Sequence, residues 1–206
     1  MGDIKIYDLK TAIKKCNIEY FVETGTLRGD AVDYMLQFNS LKKLISFEIV
    51  EQLAREATDR FKGDERVEIV FGDSSKEIEN KLKEIKGNAI FWLDAHFPGA
   101  DVGINDYTNK MDKDTNLPLE KEIAAISERK LEYNDIIIVD DLWIYDADKE
   151  YEWGTFDSHM KRHGHNVTRD QVNTKDSTFI REAFKETHTI KEVSKFQGSL
   201  VIIPNL

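Results

Sequence analysis

Short apolar runs alternate with amphipathic ones along the chain. EYFVE (19–23), LISFEI (44–49), RVEIVFGD (66–73, a strand then a turn), NAIFWLDAH (88–96) and DIIIVDDLW (135–143) are rich in β-branched and aromatic residues and end in polar turns, as buried strands do. Residues 29–39 place Ala31, Tyr34, Met35 and Phe38 on one helical face, and residues 50–61 and 119–133 are amphipathic as well. The segment 74–87 predicts a helix capped by Ser74, with Glu77 three residues on, and stopped at Gly87. HTIKEVSKF and SLVIIPNL flank Gln197-Gly198, which predicts a hairpin. The order βαβαβαβαβ plus an antiparallel pair predicts one α/β domain over residues 1–206. Its sheet is Rossmann-like, doubly wound and mostly parallel, with an antiparallel strand at the C-terminal end.

Ligands of such sheets bind beyond the carboxyl ends of the strands, near the switch in strand order. Here every predicted strand ends in an acid: Glu23, Glu48, Asp73, Asp94, and the pair Asp140-Asp141. An acid at one strand end is readily explained as a cap for the next helix. Five ends in succession would gather like charge at great cost unless cations or hydroxyl and amine donors meet it. A nucleoside with a cationic tail supplies such donors. Gly25 and Gly29 let the backbone approach it, Glu48 is placed for the ribose hydroxyls, and Asp73 with Ser74 for the adenine edge. A carboxylate at the glycine turn, Glu23, would repel a pyrophosphate but suits an ammonium or sulfonium. S-adenosylmethionine therefore fits, and a dinucleotide, whose G-x-G-x-x-G order is also missing from the turn, fits poorly.

Glu23-Thr24-Gly25-Thr26-Leu27-Arg28-Gly29, then Glu48, then Gly72-Asp73-Ser74, resemble the glycine, ribose and adenine motifs of class I S-adenosylmethionine-dependent methyltransferases. That resemblance implies a seven-stranded sheet with its last strand antiparallel. It also implies cofactor contacts from Glu23, Thr24, Gly25, Thr26, Gly29, Glu48, Asp73, Ser74 and Asp94.

Asp94, Asp140 and Asp141 exceed what the cofactor requires. The fourth and fifth strands are expected to be neighbours, so these acids should converge, and converging carboxylates suit a hard cation such as Mg2+. FWLDAHF and IIIVDDLW resemble the metal-dependent sugar O-methyltransferases of the macrocin and novobiocin type. The likeness implies Asp94, Asp140 and Asp141 as metal ligands, Asp94 also as a candidate general base, and a sugar or nucleotide-linked sugar as acceptor. The alternative for Asp140-Asp141 is that they cap the following segment. His96 is a second candidate base, its ordinary pKa lying near working pH, or else a histidine that hydrogen-bonds a loop.

Residues 97–118 predict a long polar loop suited to closing over an acceptor, or a surface loop without order. Trp143, Tyr145, Tyr151, Trp153 and Phe156 are candidates for stacking against a sugar or for the core. His159, His163 and His165 read as solvated histidines rather than a zinc site. Net charge is −10 with no basic run, which argues against nucleic acid. The lone Cys16 allows no internal disulfide, and neither a secretion signal nor a membrane-length apolar run is present, so a cytoplasmic protein is expected. Gly2 behind Met1 matches only part of a myristoylation motif. A homo-oligomer is left open. So are two other function classes: a non-catalytic nucleoside-binding module and a metal-dependent hydrolase on the same kind of sheet.

Overall fold

The computed structural model describes residues 3–146, 149–173 and 175–206; Gly2 lies outside them. Seven strands form one sheet: β1 (Ile18–Thr24), β2 (Lys43–Glu48), β3 (Val67–Phe71), β4 (Asn88–Leu93), β5 (Ile136–Val139), β6 (His188–Val193) and β7 (Ser199–Pro204). Their order is β3-β2-β1-β4-β5-β7-β6. β1 to β5 pair in parallel, and β7 runs antiparallel to both of its neighbours. The order reverses between β1 and β4, so the ligand crevice is expected above that pair.

Alternation within the strands builds two cores. Val22, Phe47, Phe91, Ile137 and Val139 face one side, with helices α4 (Ser74–Leu82), α6 (Leu119–Ser127), α7 (Phe156–Arg162) and α9 (Thr178–Phe184) contributing residues to that cluster. Phe21, Leu44, Ile90, Ile136 and Ile138 face the other, joined by residues of α1 (Leu9–Cys16), α2 (Asp30–Met35) and α3 (Glu51–Phe61). A parallel sheet covered on both faces is the reason its strands read as unbroken apolar runs.

Several elements differ from the sequence expectation. Helix α1 lies ahead of β1; its buried Leu9, Ile13 and Cys16 are hidden among lysines in the sequence. Helix α4 is capped by Asp73, whose side chain accepts from Ser75 N; Ser74 is the first helical residue instead, and the helix ends at Leu82. Helix α6 ends at Ser127. The hairpin joins through residues 194–198, with Phe196 and Gly198 both at positive φ, not through a two-residue turn. Residues 97–118 are a structured cover that includes a 3-10 turn (Ala100–Val102) and α5 (Lys113–Asn116). Three further helices, α7, α8 (Arg169–Val172) and α9, follow β5 where the sequence predicts no element. Among the described residues no helix is long and apolar enough to cross a membrane.

Candidate active site

β4 and β5 stop at Leu93 and Val139, short of the apolar runs that predicted them, so Asp94, Asp140 and Asp141 fall in the loops beyond the ladder. One cleft lies over the β1–β4 switch. Its wall includes Glu23, Gly25, Thr26, Glu48, Asp73, Ser74, Asp94 and His96, with Trp92, Phe97 and Pro98 as apolar surface and Asp3 to Lys5 at the mouth. Two residues of the expected cofactor set do not reach it. Thr24 is wholly buried. Gly29 packs against the next helix: a Cβ there would meet the Phe61 ring at 2.5 Å. Gly25 is required for a similar reason. At φ +86° a Cβ would lie 2.9 Å from the Asp94 carbonyl, so the glycine turn passes close to the protein's own chain rather than only to a ligand.

Glu23 is 2% exposed. Ser46 donates to its Oε2, and the Ser46 and Thr26 hydroxyls are 2.6 Å apart. Burial raises the Glu23 carboxyl to about 8 against the hydrogen bond from Ser46, and Glu48 and Asp30 push the same way. Among the described residues no cationic side chain pairs with Glu23, which leaves the site fitted to a cationic ligand group. Glu48 accepts from Leu27 N at 2.9 Å and Val50 N at 2.8 Å, so its carboxylate is held rigidly; burial still raises it. Asp73 accepts from Ser75 N, the Ser75 hydroxyl and the Thr115 hydroxyl (2.7 Å), and pairs with Lys76. Burial alone would raise it, but these donors outweigh burial and hold it low. The Ser74 hydroxyl turns inward to Glu122 Oε1 at 2.6 Å.

At the other end of the cleft the fold brings Asp94, Asp140 and Asp141 close enough to act on one another's charge, and it adds His96. One ligand atom each from Asp94, His96 and Asp141 lie within 4.8 Å of one another, and Asp140 is outside that group. Asp140 and Asp141 are buried, do not line the cleft wall, and each keep one oxygen, Oδ2 and Oδ1 respectively, with no hydrogen-bond partner. Burial, Asp140 and Asp141 raise Asp94 well above its ordinary value, and burial with Asp141 raises Asp140 to about 7. Unpartnered buried oxygens beside a convergent donor set fit a divalent cation. His96, read either as a base or as a histidine that hydrogen-bonds a loop, has both ring nitrogens beside oxygen atoms. Nδ1 is 3.0 Å from the Asp94 carbonyl, and Nε2 is 3.2 Å from Asp141 and 3.4 Å from Asp101. Burial opposes charge on the imidazole, yet Asp141, Asp101 and Asp94 outweigh it and push the pKa to about 10.

Sequence reasoning missed Ser46, Glu122 and Asp101. Glu122 had a signal: with Leu119, Ile123 and Ile126 it falls on the buried face of α6, a lone acid in an apolar stripe. Ser46 interrupts an apolar strand run. Asp101 had none, because Tyr107, which donates to it at 2.8 Å, and His96 are joined to it only by folding. The expected aromatics do not line the cleft: Trp143, Tyr145, Tyr151 and Phe156 are buried in the core, and His159 lies between the Trp143 and Trp153 rings. His163 and His165 are exposed.

No family model matches the chain, and no curated protein matches it in sequence. Solved structures do resemble it. A Staphylococcus aureus protein provisionally assigned as a caffeoyl-CoA O-methyltransferase superposes with a TM-score of 0.60 at 14% identity, over 100% of this chain and 85% of that one. The Podospora anserina methyltransferase PaMTH1, bound to SAH, gives 0.58 at 15% over 95% and 76%. The Bacillus cereus O-methyltransferase in complex with SAH gives 0.55 at 12% over 100% and 82%. The chain has the class I methyltransferase fold. That fold explains why acids from consecutive strands meet in one crevice: each parallel strand delivers its carboxyl end to the same edge of the sheet.

Proposed function

We propose that this chain is an S-adenosylmethionine-dependent O-methyltransferase acting on a hydroxyl of a small molecule, with a divalent cation assisting. The observation that carries the reading is that one cleft holds both acid sets: Glu23, Glu48 and Asp73 at one end, Asp94 with His96 at the other. Glu23 holds the amino-acid ammonium, Glu48 accepts from the ribose hydroxyls, and Asp73 with the start of α4 flanks the adenine. The Asp94 carboxylate, in the wall of the same cleft, is the group to take the acceptor's hydroxyl proton. Methyl transfer is an in-line displacement, so the residues contribute mostly by positioning and by that proton removal. Asp94 and Asp141 would hold a divalent cation, which would supply Lewis-acid activation of an acceptor hydroxyl. Mg2+ is the ion that oxygen donors alone would select. The likeness of FWLDAHF and IIIVDDLW to sugar O-methyltransferases favours a sugar or nucleotide-linked sugar as acceptor, and the charge of −10 disfavours nucleic acid. A cytoplasmic site of action fits this substrate class.

Calorimetric titration with S-adenosylmethionine and S-adenosylhomocysteine, with divalent metal and with chelator, tests the reading. Micromolar binding is expected under both conditions, with transfer to a panel of sugar and catechol hydroxyls lost on chelation. Binding without transfer to any acceptor would favour a nucleoside-binding module. No binding would sink the proposal and promote a hydrolase.

A further inference from the structure

We infer that the cation centre of this chain is a mixed nitrogen–oxygen site in which His96 Nε2 is a ligand beside Asp94 and Asp141, and that it selects a first-row transition ion such as Mn2+ over Mg2+. The inference deepens the methyltransferase reading and rests on it for the role of the ion, not for its binding.

The tautomer is fixed by the backbone. His96 Nδ1 lies 3.0 Å from the Asp94 carbonyl oxygen, which can only accept, so Nδ1 carries a proton. A metal-binding histidine usually donates its other ring N–H in this way, which orients the ring and leaves the second nitrogen for the metal. Nε2 then points at Asp141 Oδ2, 3.2 Å away, with Asp101 Oδ2 at 3.4 Å on the loop side. Asp141 is 4% exposed and its Oδ1 has no partner, an acceptor held out of water beside the same group. Asp140, which an all-carboxylate site needs, is not in the set. Imidazole suits the transition ions, whereas Mg2+ takes oxygen donors and dehydrates reluctantly. Replacing a carboxylate by an imidazole therefore moves the preference away from Mg2+.

The test is pulsed EPR of Mn2+ added alone to the full chain, beside titration of S-adenosylhomocysteine. The expected result is bound Mn2+ that a tenfold excess of Mg2+ does not displace, with a histidine nitrogen coupling. His96→Gln should abolish the coupling and weaken binding by about tenfold or more, since even the loss of a ligand's supporting partner costs that much. Should the variant fail to fold, wild-type chain made with nitrogen-15 histidine answers the same question, because the coupling must change with the isotope. Mn2+ bound with oxygen donors only, ready displacement by Mg2+, or no Mn2+ binding at millimolar concentration would each overturn the inference. Failure to bind S-adenosylhomocysteine would remove the methyltransferase reading and leave the ion result standing.

Discussion

Strand β5 carries a buried aspartate at its entrance and two at its exit, and the ends treat them differently. At the entrance, Asp135 is met on all sides: Arg129 Nε donates at 2.9 Å and Ala89 N at 2.7 Å, while the rest of the guanidinium bonds the carbonyls of Ile85 and Gly87. At the exit, Asp140 and Asp141 are buried with unpartnered oxygens, and among the described residues the group facing Asp141 is the His96 imidazole. The entrance is a closed account of donors and acceptors; the exit is open. A buried charge left uncompensated is destabilising, so the open end persists because of what it binds, whereas the closed end holds the sheet together. Three non-glycine residues at positive φ, Leu27, Phe97 and Asp141, stand in the loops of the open end, where strain is commonly stored for function.

The contrast can be broken by variants of either end. The largest effect is expected from Arg129→Met, which strands Asp135: a stability loss of roughly 3–5 kcal/mol in urea denaturation, with affinity for S-adenosylhomocysteine unchanged. Altered affinity would mean that the two ends are coupled. Glu23→Gln should act in the opposite sense. Affinity for S-adenosylmethionine should fall about 100-fold, some 3 kcal/mol, while the ligand-free chain gains on the order of 4 kcal/mol at pH 9. The sign follows from linkage. The unfolded carboxyl loses its proton near 4.5 and the folded one near 8, so stability falls as pH rises between those values.

Glu122, raised to about 7 by burial against the bond from Ser74, should add a smaller fall over the range from 4.5 to 7. Glu122→Gln should flatten that part of the profile by about 3 kcal/mol; a profile unchanged by the substitution would show that Glu122 is charged in the folded chain. The smallest effect is expected from Thr115→Val, which removes the Thr115–Asp73 bond tying the 97–118 cover to the end of β3. A cost of about 1 kcal/mol, seen as faster hydrogen exchange confined to the cover, would sharpen the view of that loop as docked by single bonds.

The strand-end acids were legible because each is the first charged residue after an apolar run, and Glu23, Glu48, Asp73 and Asp94 do line one cleft. Gly29 misled because a glycine in a turn reads the same whether its open side faces a ligand or, as here, the Phe61 ring. Helix α1 and the helices of residues 156–184 were missed because their apolar positions are few and set among lysines, histidines and aromatics. Asp101 carried no sequence mark at all.

The sequence by itself determined the sheet, its two covered faces and the gathering of acids at one edge, because these follow from local periodicity and from the geometry of parallel strands. Which acids share a centre was decided only by tertiary structure. A left-handed turn at Asp141, the ring of His96 fixed by a backbone carbonyl, and a loop that brings Asp101 to the same nitrogen are contacts between distant segments. No periodicity encodes them, and they separate Asp140 from Asp141 although the two are adjacent in the chain.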